Sequence, residues 1–310
     1  MDNIDRKILT ILQQNARTPL KVIAEQVFLS SPAVSARIQG LEESLDTVLF
    51  DRIGKRVHLT ANGAVFYDYA RKLLGTLQAA TEHLHQMDDP LTGTVHFGAS
   101  NFIGIYLIPP FLGRYRKSAP KLQFELDILP SAKLLERLDA NKLEFLVLSD
   151  QIPLDAAHHE HRDFCRDEMV FVVPPDHRLA TAGACTLADL AADTFLLKAA
   201  PSATRAFVLE KIRAQGGALG REMHISSTEA IKQGVMYGLG VSILSRFTVA
   251  HELAAGRLRE VPIAGLRFER GIRVVFRRDK LLSPAAQRFL DALTVAGDVE
   301  AALLGAPAAA

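Results

Sequence analysis

Cysteine, net charge and long apolar runs are all scarce in this chain. Its 310 residues include two cysteines, Cys165 and Cys185, which exclude a disulfide framework and a four-cysteine zinc site. The formal net charge of +1 gives no overall basic surface, so any nucleic-acid binding has to come from local placement of charge. No apolar stretch approaches the roughly 20 residues of a membrane-spanning helix, and the opening MDNIDRKILT is charged where a secretory signal is apolar. We therefore expect a cytoplasmic protein with no membrane partner.

The chain does contain enough apolar sequence for two or three domains. Hydrophobic residues make up 48% and charged residues 23%, as in soluble proteins with well-formed cores. Short helical patterns come first, one long helical pattern follows, and alternating strands and helices fill the remainder.

The first region has the pattern of a helix-turn-helix. Apolar residues recur at helical spacing over Ile4–Asn15 and again over Leu20–Phe28. A short break at Leu29–Ser31 precedes Pro32, which suits the first turn of a third helix with Ser30 or Ser31 as its N-cap. Three short helices with a tight turn before the last are typical of DNA-binding modules.

The third helix has the composition of a recognition helix. A helix that enters a major groove about 12 Å wide should begin with small polar residues. In SSPAVSAR the hydroxyls can bond phosphates or base edges, the proline and alanine can contact thymine methyls, and Arg37 can pair with guanine or phosphate. The candidate DNA contacts are Ser30, Ser31, Pro32, Ala33, Ser35 and Arg37. The inner face consists of Val34, Ile38, Leu41 and Leu45. The alternative is an ordinary capped surface helix.

The segment Val48–Thr60, VLFDRIGKRVHLT, predicts a β-hairpin. Two short alternating runs flank Gly54 and Lys55, and the tip is basic. A basic hairpin directly after a recognition helix is typical of a wing that lies on the phosphate backbone, although a solvated turn is the alternative. The predicted DNA-binding residues here are Arg52, Lys55, Arg56 and Thr60.

Ala61–Met87 predicts one long helix with an apolar residue every three or four positions. A helix of this length needs a partner for its apolar stripe, so we expect it to pair with itself in a dimer. Asp88–Gly93 is then predicted to be a hinge.

After Gly93, short apolar runs alternate with helical patterns, which predicts parallel sheets covered by helices in two α/β sub-domains. The predicted strands are VHFGAS, FELDIL, EFLVLS, MVFVVP, TFLLK, HISS, GVSILS and IRVVF.

Other chemical signals carry no predicted function. His158–His161 is predicted to be a surface loop, since adjacent histidines point apart and lack the partners of a zinc site. Cys165 and Cys185 have no nearby run of basic residues, so structural thiols are favoured over a redox switch. With no HExxH motif, nucleophile elbow or phosphate-binding loop, we expect neither an enzyme nor a bound metal or cofactor.

Taken together, these segments resemble the LysR-type transcriptional regulators over almost the whole chain. The matching pieces, in order, are SSPAVSARIQGLEESL, LFDRIGKRVHLTANG, the TG hinge, PSATR, STEAIKQGVMYGLGVSIL and LSPAAQRFLDAL. The resemblance implies an N-terminal winged helix-turn-helix at 1–60, a linker and dimerisation helix at 61–89, and an effector domain at 90–310. That domain would have a periplasmic-binding-protein-like α/β fold whose lobes cover about 92–165 with 268–300 and about 166–267.

Two segments depart from the family pattern. Ser31 stands where the family usually has glutamine, and its shorter side chain does not reach as far toward a base as glutamine would. The stretch IDRKILTILQQNARTPLKVIAEQV looks more like the leucine-responsive (Lrp/AsnC) regulators, which also dock a helix-turn-helix on DNA.

The resemblance also implies a ligand between the lobes, where strands end and helices begin. Free N–H groups and the positive end of the helix dipole suit a small anion there. GASN at 98–101 and PSATR at 201–205 occupy such places, and PSATR resembles the Gly-Ser-Gly-Thr-Arg segment of the branch that regulates sulfur assimilation and carbon fixation. Plain N-capping is the alternative for these hydroxyls. The candidate effector-binding residues are Ser100, Asn101, Phe102, Ser202, Thr204, Arg205 and Thr228, with Thr228 also a possible helix cap.

We therefore predict a transcriptional regulator that binds an interrupted palindrome in double-stranded promoter DNA as a homodimer or homotetramer, responds to a small anionic effector and acts through RNA polymerase. An Lrp/AsnC-like amino-acid-responsive regulator is one alternative, although it would have a much shorter ligand domain. The other is a cytoplasmic small-molecule-binding protein or enzyme whose N-terminus serves only for assembly.

Overall fold

A computed structural model describes residues 11, 20–53, 56–87 and 91–295. The chain forms two compact units, Met1–Asp88 with Glu136–Lys142 and Asp89–Leu135 with Leu143–Ala310. The predicted helix over Ile4–Asn15 lies outside the described residues except for Ile11.

The first unit contains the predicted helix-turn-helix. Helix α1 spans Leu20–Val27 and helix α2 spans Ser31–Ser44. Ser30 is the N-cap of α2, and its side chain accepts a hydrogen bond from the Ala33 N–H at 3.3 Å. The two helices pack through a small core of Ile23, Ala24, Val27 and Val34.

Two apolar residues assigned to these helices lie elsewhere. Phe28 follows the end of α1 with a φ of 57°, and it is exposed rather than part of the helical stripe. Leu45 is the C-cap of α2 and is also exposed, because the helix ends at Ser44 before Leu45 can turn inward.

The predicted hairpin is present. Strands β1 (Phe50–Ile53) and β2 (Arg56–Leu59) pair antiparallel, with Ile53 opposite Arg56. The Glu42 carboxylate accepts hydrogen bonds from the N–H groups of Leu49 and Phe50, which ties the hairpin to α2.

Helix α3 spans Ala61–Met87, as predicted. Thr60 caps it, since its hydroxyl accepts from the Gly63 N–H at 2.9 Å while donating to the Val48 carbonyl. An apolar stripe remains on the exposed surface of this helix, consisting of Val65, Tyr69, Leu73, Leu77 and Leu84.

The second unit is built on one seven-stranded sheet. Its strands are β3 (Gly93–Ala99), β4 (Leu122–Ile128), β5 (Phe145–Ser149), β6 (His159–Val173), β9 (Ser242–Ser245), β10 (Arg259–Glu260) and β11 (Phe268–Arg277). The order is β10-β6-β11-β5-β3-β4, and β9 also pairs with β6. Strands β7 (Thr194–Lys198) and β8 (Arg221–Ile225) form a separate parallel pair.

Helices connect most of these strands along the chain. They are a π-helical turn at Ile103–Leu107 and helices α4 (Ile108–Ser118), α5 (Ser131–Asp139), α6 (Leu187–Leu190), α7 (Ala203–Ala214), α8 (Thr228–Met236), α9 (Arg246–Ala254) and α10 (Pro284–Val295). None of the described helices in the chain is long and apolar enough to cross a membrane.

The prediction of parallel sheets is correct for some strand pairs and wrong for others. Strand β3 runs parallel to β4 and β5, but β6 and β11 form a long antiparallel pair, and β9 and β10 join β6 antiparallel. The two long strands explain this difference, because each contributes to two separate cores. Strand β6 places Phe164 in one core and Phe171 in the other. Strand β11 likewise places Ile272 in the first core and Phe268 in the second. Two lobes are therefore connected by two oppositely directed strands.

The histidine-rich segment is also not a surface loop. His159, Glu160 and His161 begin β6, opposite Arg277, Phe276 and Val275 of β11, and His159 is buried. Cys185 is buried and Cys165 is half-buried, as structural thiols would be.

Candidate effector cavity and DNA-binding surface

A cavity of about 530 Å³ lies between the two lobes of the second unit. The ends of β3, β5 and β7 and the N-termini of α5, α7 and α8 meet around it. All the predicted effector-binding residues line this one cavity: Ser100, Asn101 and Phe102 from the first lobe, and Ser202, Thr204, Arg205 and Thr228 from the second.

Several of these side chains already have partners within the protein. The Ser202 hydroxyl caps α7 by accepting from the Arg205 N–H at 3.3 Å. The Arg205 guanidinium pairs with Glu222 at 2.9 Å. At α8 the cap is Ser227, whose hydroxyl accepts from the Ala230 N–H, so the prediction that Thr228 caps this helix is wrong. Thr228 is instead the first helical residue.

Arg270 is a cavity residue that sequence reasoning missed. Its Nε donates to Asp167 Oδ2 at 2.7 Å, and its Nη1 donates to Thr204 Oγ1 at 2.9 Å. The guanidinium lies 4.3 Å from the centroid of the Phe102 ring, within cation–π distance. Ser245 donates to the other oxygen of Asp167 at 2.6 Å. Burial raises the pKa of the Asp167 carboxyl, and Arg270 and Ser245 limit that rise.

The sequence does carry a signal for Arg270. In the strand FERGIRVVFR, every second residue should face the core, and Arg270 falls in phase with Phe268, Ile272 and Val274. A charged residue at an inward position of an apolar strand indicates either a buried ion pair or a ligand contact.

The charge around the cavity is positive. Lys198, Arg205 and Arg270 line it, whereas no aspartate or glutamate is among the described lining residues. The Lys198 ammonium donates to the Ser226 carbonyl, and burial lowers its pKa. No carboxylate pairs with Lys198 in the described part of the chain, unlike Arg205 and Arg270. This arrangement favours an anion as the ligand.

A second charged cluster joins the lobes beside the cavity. Buried Lys232 in α8 bridges Glu229 at 3.0 Å and Glu252 at 2.8 Å. Its ammonium lies 5.2 Å from the ring centroid of Tyr106, in the π-helical turn of the first lobe. The Tyr106 hydroxyl in turn donates to Glu229.

The pKa values of this cluster are strongly shifted. Burial and the hydrogen bond to Glu229 raise the pKa of Tyr106 to about 12. Burial alone would raise the pKa of Glu229, but hydrogen bonds with Tyr106, Gln233 and Lys232 lower it to about 2. The cluster therefore holds a charged carboxylate and a neutral phenol over most of the pH range.

The predicted DNA-binding residues lie along the helix-turn-helix and hairpin of the first unit. Ser30 and Pro32 are exposed at the start of α2, and Ser31, Ala33, Ser35 and Arg37 are half-buried along it. Arg52 and Arg56 belong to the paired strands of the hairpin, whereas Lys55 lies outside the described residues. Thr60 is engaged as the cap of α3. No group of histidine, cysteine, aspartate or glutamate side chains among the described residues could hold a metal ion.

Comparison with known protein families gives matches in both units. Residues 88–297 match the profile of the LysR substrate binding domain. Residues 24–64 match the bacterial regulatory helix-turn-helix protein profile of the lysR family, and residues 1–42 match the AsnC-type helix-turn-helix domain.

Individual relatives agree with the family profiles. The RuBisCO operon transcriptional regulator of Allochromatium vinosum is 31% identical over 266 residues, which cover 86% of this chain and 87% of that protein. Full-length OxyR from Pseudomonas aeruginosa has the same fold, with a TM-score of 0.72 at 23% identity over 96% of each chain. The CcmR regulatory domain of Synechocystis PCC6803 in complex with 2-PG has a TM-score of 0.61 at 24% identity, covering 67% of this chain and 98% of that one.

Proposed function

Because this chain belongs to the LysR family of DNA-binding transcription regulators, we propose that a small organic anion, bound in the cavity between its lobes, sets its activity at promoters. The family consists of regulators rather than enzymes. The observation that carries the proposal is the charge of the cavity, where Lys198 has no carboxylate partner among the described residues.

The size and chemistry of the cavity support a small, negatively charged ligand. About 530 Å³ lies within the range of small-molecule sites, roughly 300–1,000 Å³. Helices α7 and α8 begin at its wall and add the positive ends of their dipoles to the charge of Lys198. The 2-PG (2-phosphoglycolate) of the CcmR complex, which carries a phosphate and a carboxylate, is a ligand of this class.

The finer organisation follows the sequence-based prediction. In this proposal residues 1–60 are a winged module that binds double-stranded DNA, residues 61–89 pair two subunits, and residues 90–310 bind the effector. Two dimers associate on an interrupted palindrome in the cytoplasm, and effector binding alters the DNA complex that RNA polymerase meets. The exposed apolar stripe on α3 supports the pairing step.

The AsnC-type match bears on a narrower question. It covers residues 1–42 only, whereas residues 88–297 match the LysR substrate binding domain. Both kinds of regulator dock a helix-turn-helix on DNA, so the match affects which base sequence is read rather than whether DNA is bound.

A footprint on the DNA upstream of the chain's own gene tests the proposal. We expect a protected, roughly two-fold symmetric site whose boundaries or bend change when 2-phosphoglycolate or another small carboxylate or oxyanion is added. A small-molecule-binding protein without regulatory DNA binding predicts no footprint at all. A footprint that none of these anions alters would contradict the proposed effector class.

A further inference from the structure

We infer that Phe28, the residue in the turn before the recognition helix α2, is itself a DNA contact. The sequence pattern predicts that this residue belongs to the apolar stripe of α1, whereas the structure places it outside that helix with 90% of its surface exposed. The inference goes beyond the effector proposal and does not depend on it.

The backbone around Phe28 has the hydrogen bonds of a Schellman motif at the end of α1. The Leu29 N–H donates to the Ala24 carbonyl at 2.9 Å, and the Phe28 N–H donates to the Glu25 carbonyl at 3.4 Å. Phe28 is the C′ residue of this motif and adopts a φ of 57°, in the left-handed region. That position favours glycine or asparagine, because a Cβ atom and a bulky ring are strained there.

No packing contact within the described part of the first unit offsets this strain. Leu29 turns inward and packs against the core of α1 and α2, whereas Phe28 points away from it. No other large hydrophobic side chain among the described residues exposes a greater fraction of its surface. A strained backbone position that carries an exposed aromatic ring is the kind of outlier from which a functional role can be inferred.

The position of Phe28 identifies double-stranded DNA as its partner. Exposed Ser30 and Pro32 follow it directly and begin α2, and the N-terminal end of such a helix enters the major groove. A phenyl ring beside that end can pack on a deoxyribose or on a thymine methyl group. The contact is apolar, so it should add affinity without releasing a counterion.

Two variants of Phe28 separate a binding role from a structural one. Phe28→Gly and Phe28→Asn both suit a left-handed residue, so each should raise the melting temperature of the protein. We expect each to weaken binding to a fluorescein-labelled random-sequence duplex about tenfold at every salt concentration, since the apolar surface that the phenyl ring would bury against DNA is lost. The slope of log affinity against log salt should stay unchanged. Tyr237→Ala, which removes an exposed aromatic residue of the second unit, is the matched control and should leave DNA binding as in the parent.

Two results would overturn the inference. One is a DNA affinity equal to that of the parent in both Phe28 variants. The other is a loss of self-association by sedimentation velocity in place of a loss of DNA affinity, which would assign the ring to a second copy of the chain. The response of the same variants to 2-phosphoglycolate should match that of the parent. A failure of the Phe28 inference can therefore be distinguished from a failure of the effector proposal.

Discussion

At the scale of single residues, Arg270 and Asp167 form an ion pair that is almost completely withdrawn from solvent at the cavity wall. Their side chains are 2% and 0% exposed, and two of their atoms approach to 2.7 Å. Away from water, each charge depends on the other for its compensation. Because Arg270 also contacts Phe102 and Thr204, which come from different lobes, the pair fixes the shape of the cavity as well as supporting the fold.

Removing one member of this pair should be strongly destabilising. Arg270→Met leaves the Asp167 carboxylate buried without its cation, so we expect the free energy of unfolding to fall by about 3–5 kcal/mol in urea denaturation. Arg273→Met on the same strand is the control, because Arg273 pairs at 3.5 Å with an Asp163 that is 88% exposed, and it should cost less than about 1 kcal/mol. Equal losses for the two variants would show that the buried pair contributes no more to the free energy of unfolding than the exposed pair does.

The low pKa of Glu229 predicts how the stability of the protein depends on pH. Its pKa is lowered from 4.5 in the unfolded chain to about 2, so the native state favours the charged carboxylate. The stabilisation is fully present above pH 4.5 and is lost as the pH falls through about 2. Glu229→Gln should flatten this part of the stability curve measured by chemical denaturation between these pH values. A curve that is unchanged in Glu229→Gln would contradict the low pKa.

The hydroxyl of Tyr106 provides a finer check on the same cluster. Tyr106→Phe removes one of the hydrogen bonds that lower the pKa of Glu229 but keeps the ring beside Lys232. We expect the acid loss of stability to be smaller than in the parent and to be complete at a higher pH, because the folded-state pKa of Glu229 then lies closer to 4.5. If the curves of the two proteins coincide, Lys232 and Gln233 alone hold the carboxylate charged.

At the scale of helices and strands, the sequence predicted what local patterns control and missed what distant pairing controls. The recognition helix, the hairpin and α3 each follow from spacing within a dozen or so residues of one another, together with Pro32 and its serine cap. The direction of β6 and β11 does not follow from their own periodicity, which reports an apolar strand without naming its neighbour. Polar His159 and Glu160 read as loop because they begin a strand whose apolar part starts several residues later.

The exposed stripe on α3 should carry the pairing of two subunits. Leu73 lies in the middle of this stripe and is 57% exposed, so Leu73→Asp would place a charge in the paired face. We expect the variant to sediment at a lower mass than the parent at the same concentration. Ala64→Asp, nine positions away and on the opposite side of the helix, is the control and should sediment as the parent does. Dissociation by Ala64→Asp but not by Leu73→Asp would place the interface on the opposite face of the helix.

The hairpin should contact phosphates and not bases, whereas the recognition helix α2 should read bases through Arg37. Arg56→Ala should weaken binding to all duplexes and reduce the slope of log affinity against log salt by about one counterion. Arg37→Ala should cost about 1–3 kcal/mol at sites where Arg37 reads a guanine, and less at others. Fluorescence anisotropy against one specific and one random duplex measures both effects. An unchanged salt slope for Arg56→Ala would show that this hairpin residue does not contact a phosphate.

At the scale of the whole effector unit, the cavity depends on a chain that crosses between two lobes twice. Strands β6 and β11 make those crossings, and the Tyr106–Glu229 hydrogen bond ties the lobes again at one side of the cavity. Ser100 and Ser202 could be predicted as site residues, because each follows a strand and precedes a helix. Arg270 could not be placed with Asp167, since 103 positions separate them and only the fold brings them together.

A thermal-shift comparison of the parent with Lys198→Met tests the central claim most directly. The panel contains 2-phosphoglycolate, small carboxylates, and sulfur and phosphorus oxyanions, with Lys117→Met as a control that removes an exposed lysine away from the cavity. We predict that at least one anion raises the melting temperature of the parent and of Lys117→Met, and raises that of Lys198→Met much less. If every anion leaves the parent unchanged, or shifts all three proteins equally, then the cavity is not the site of an anionic effector.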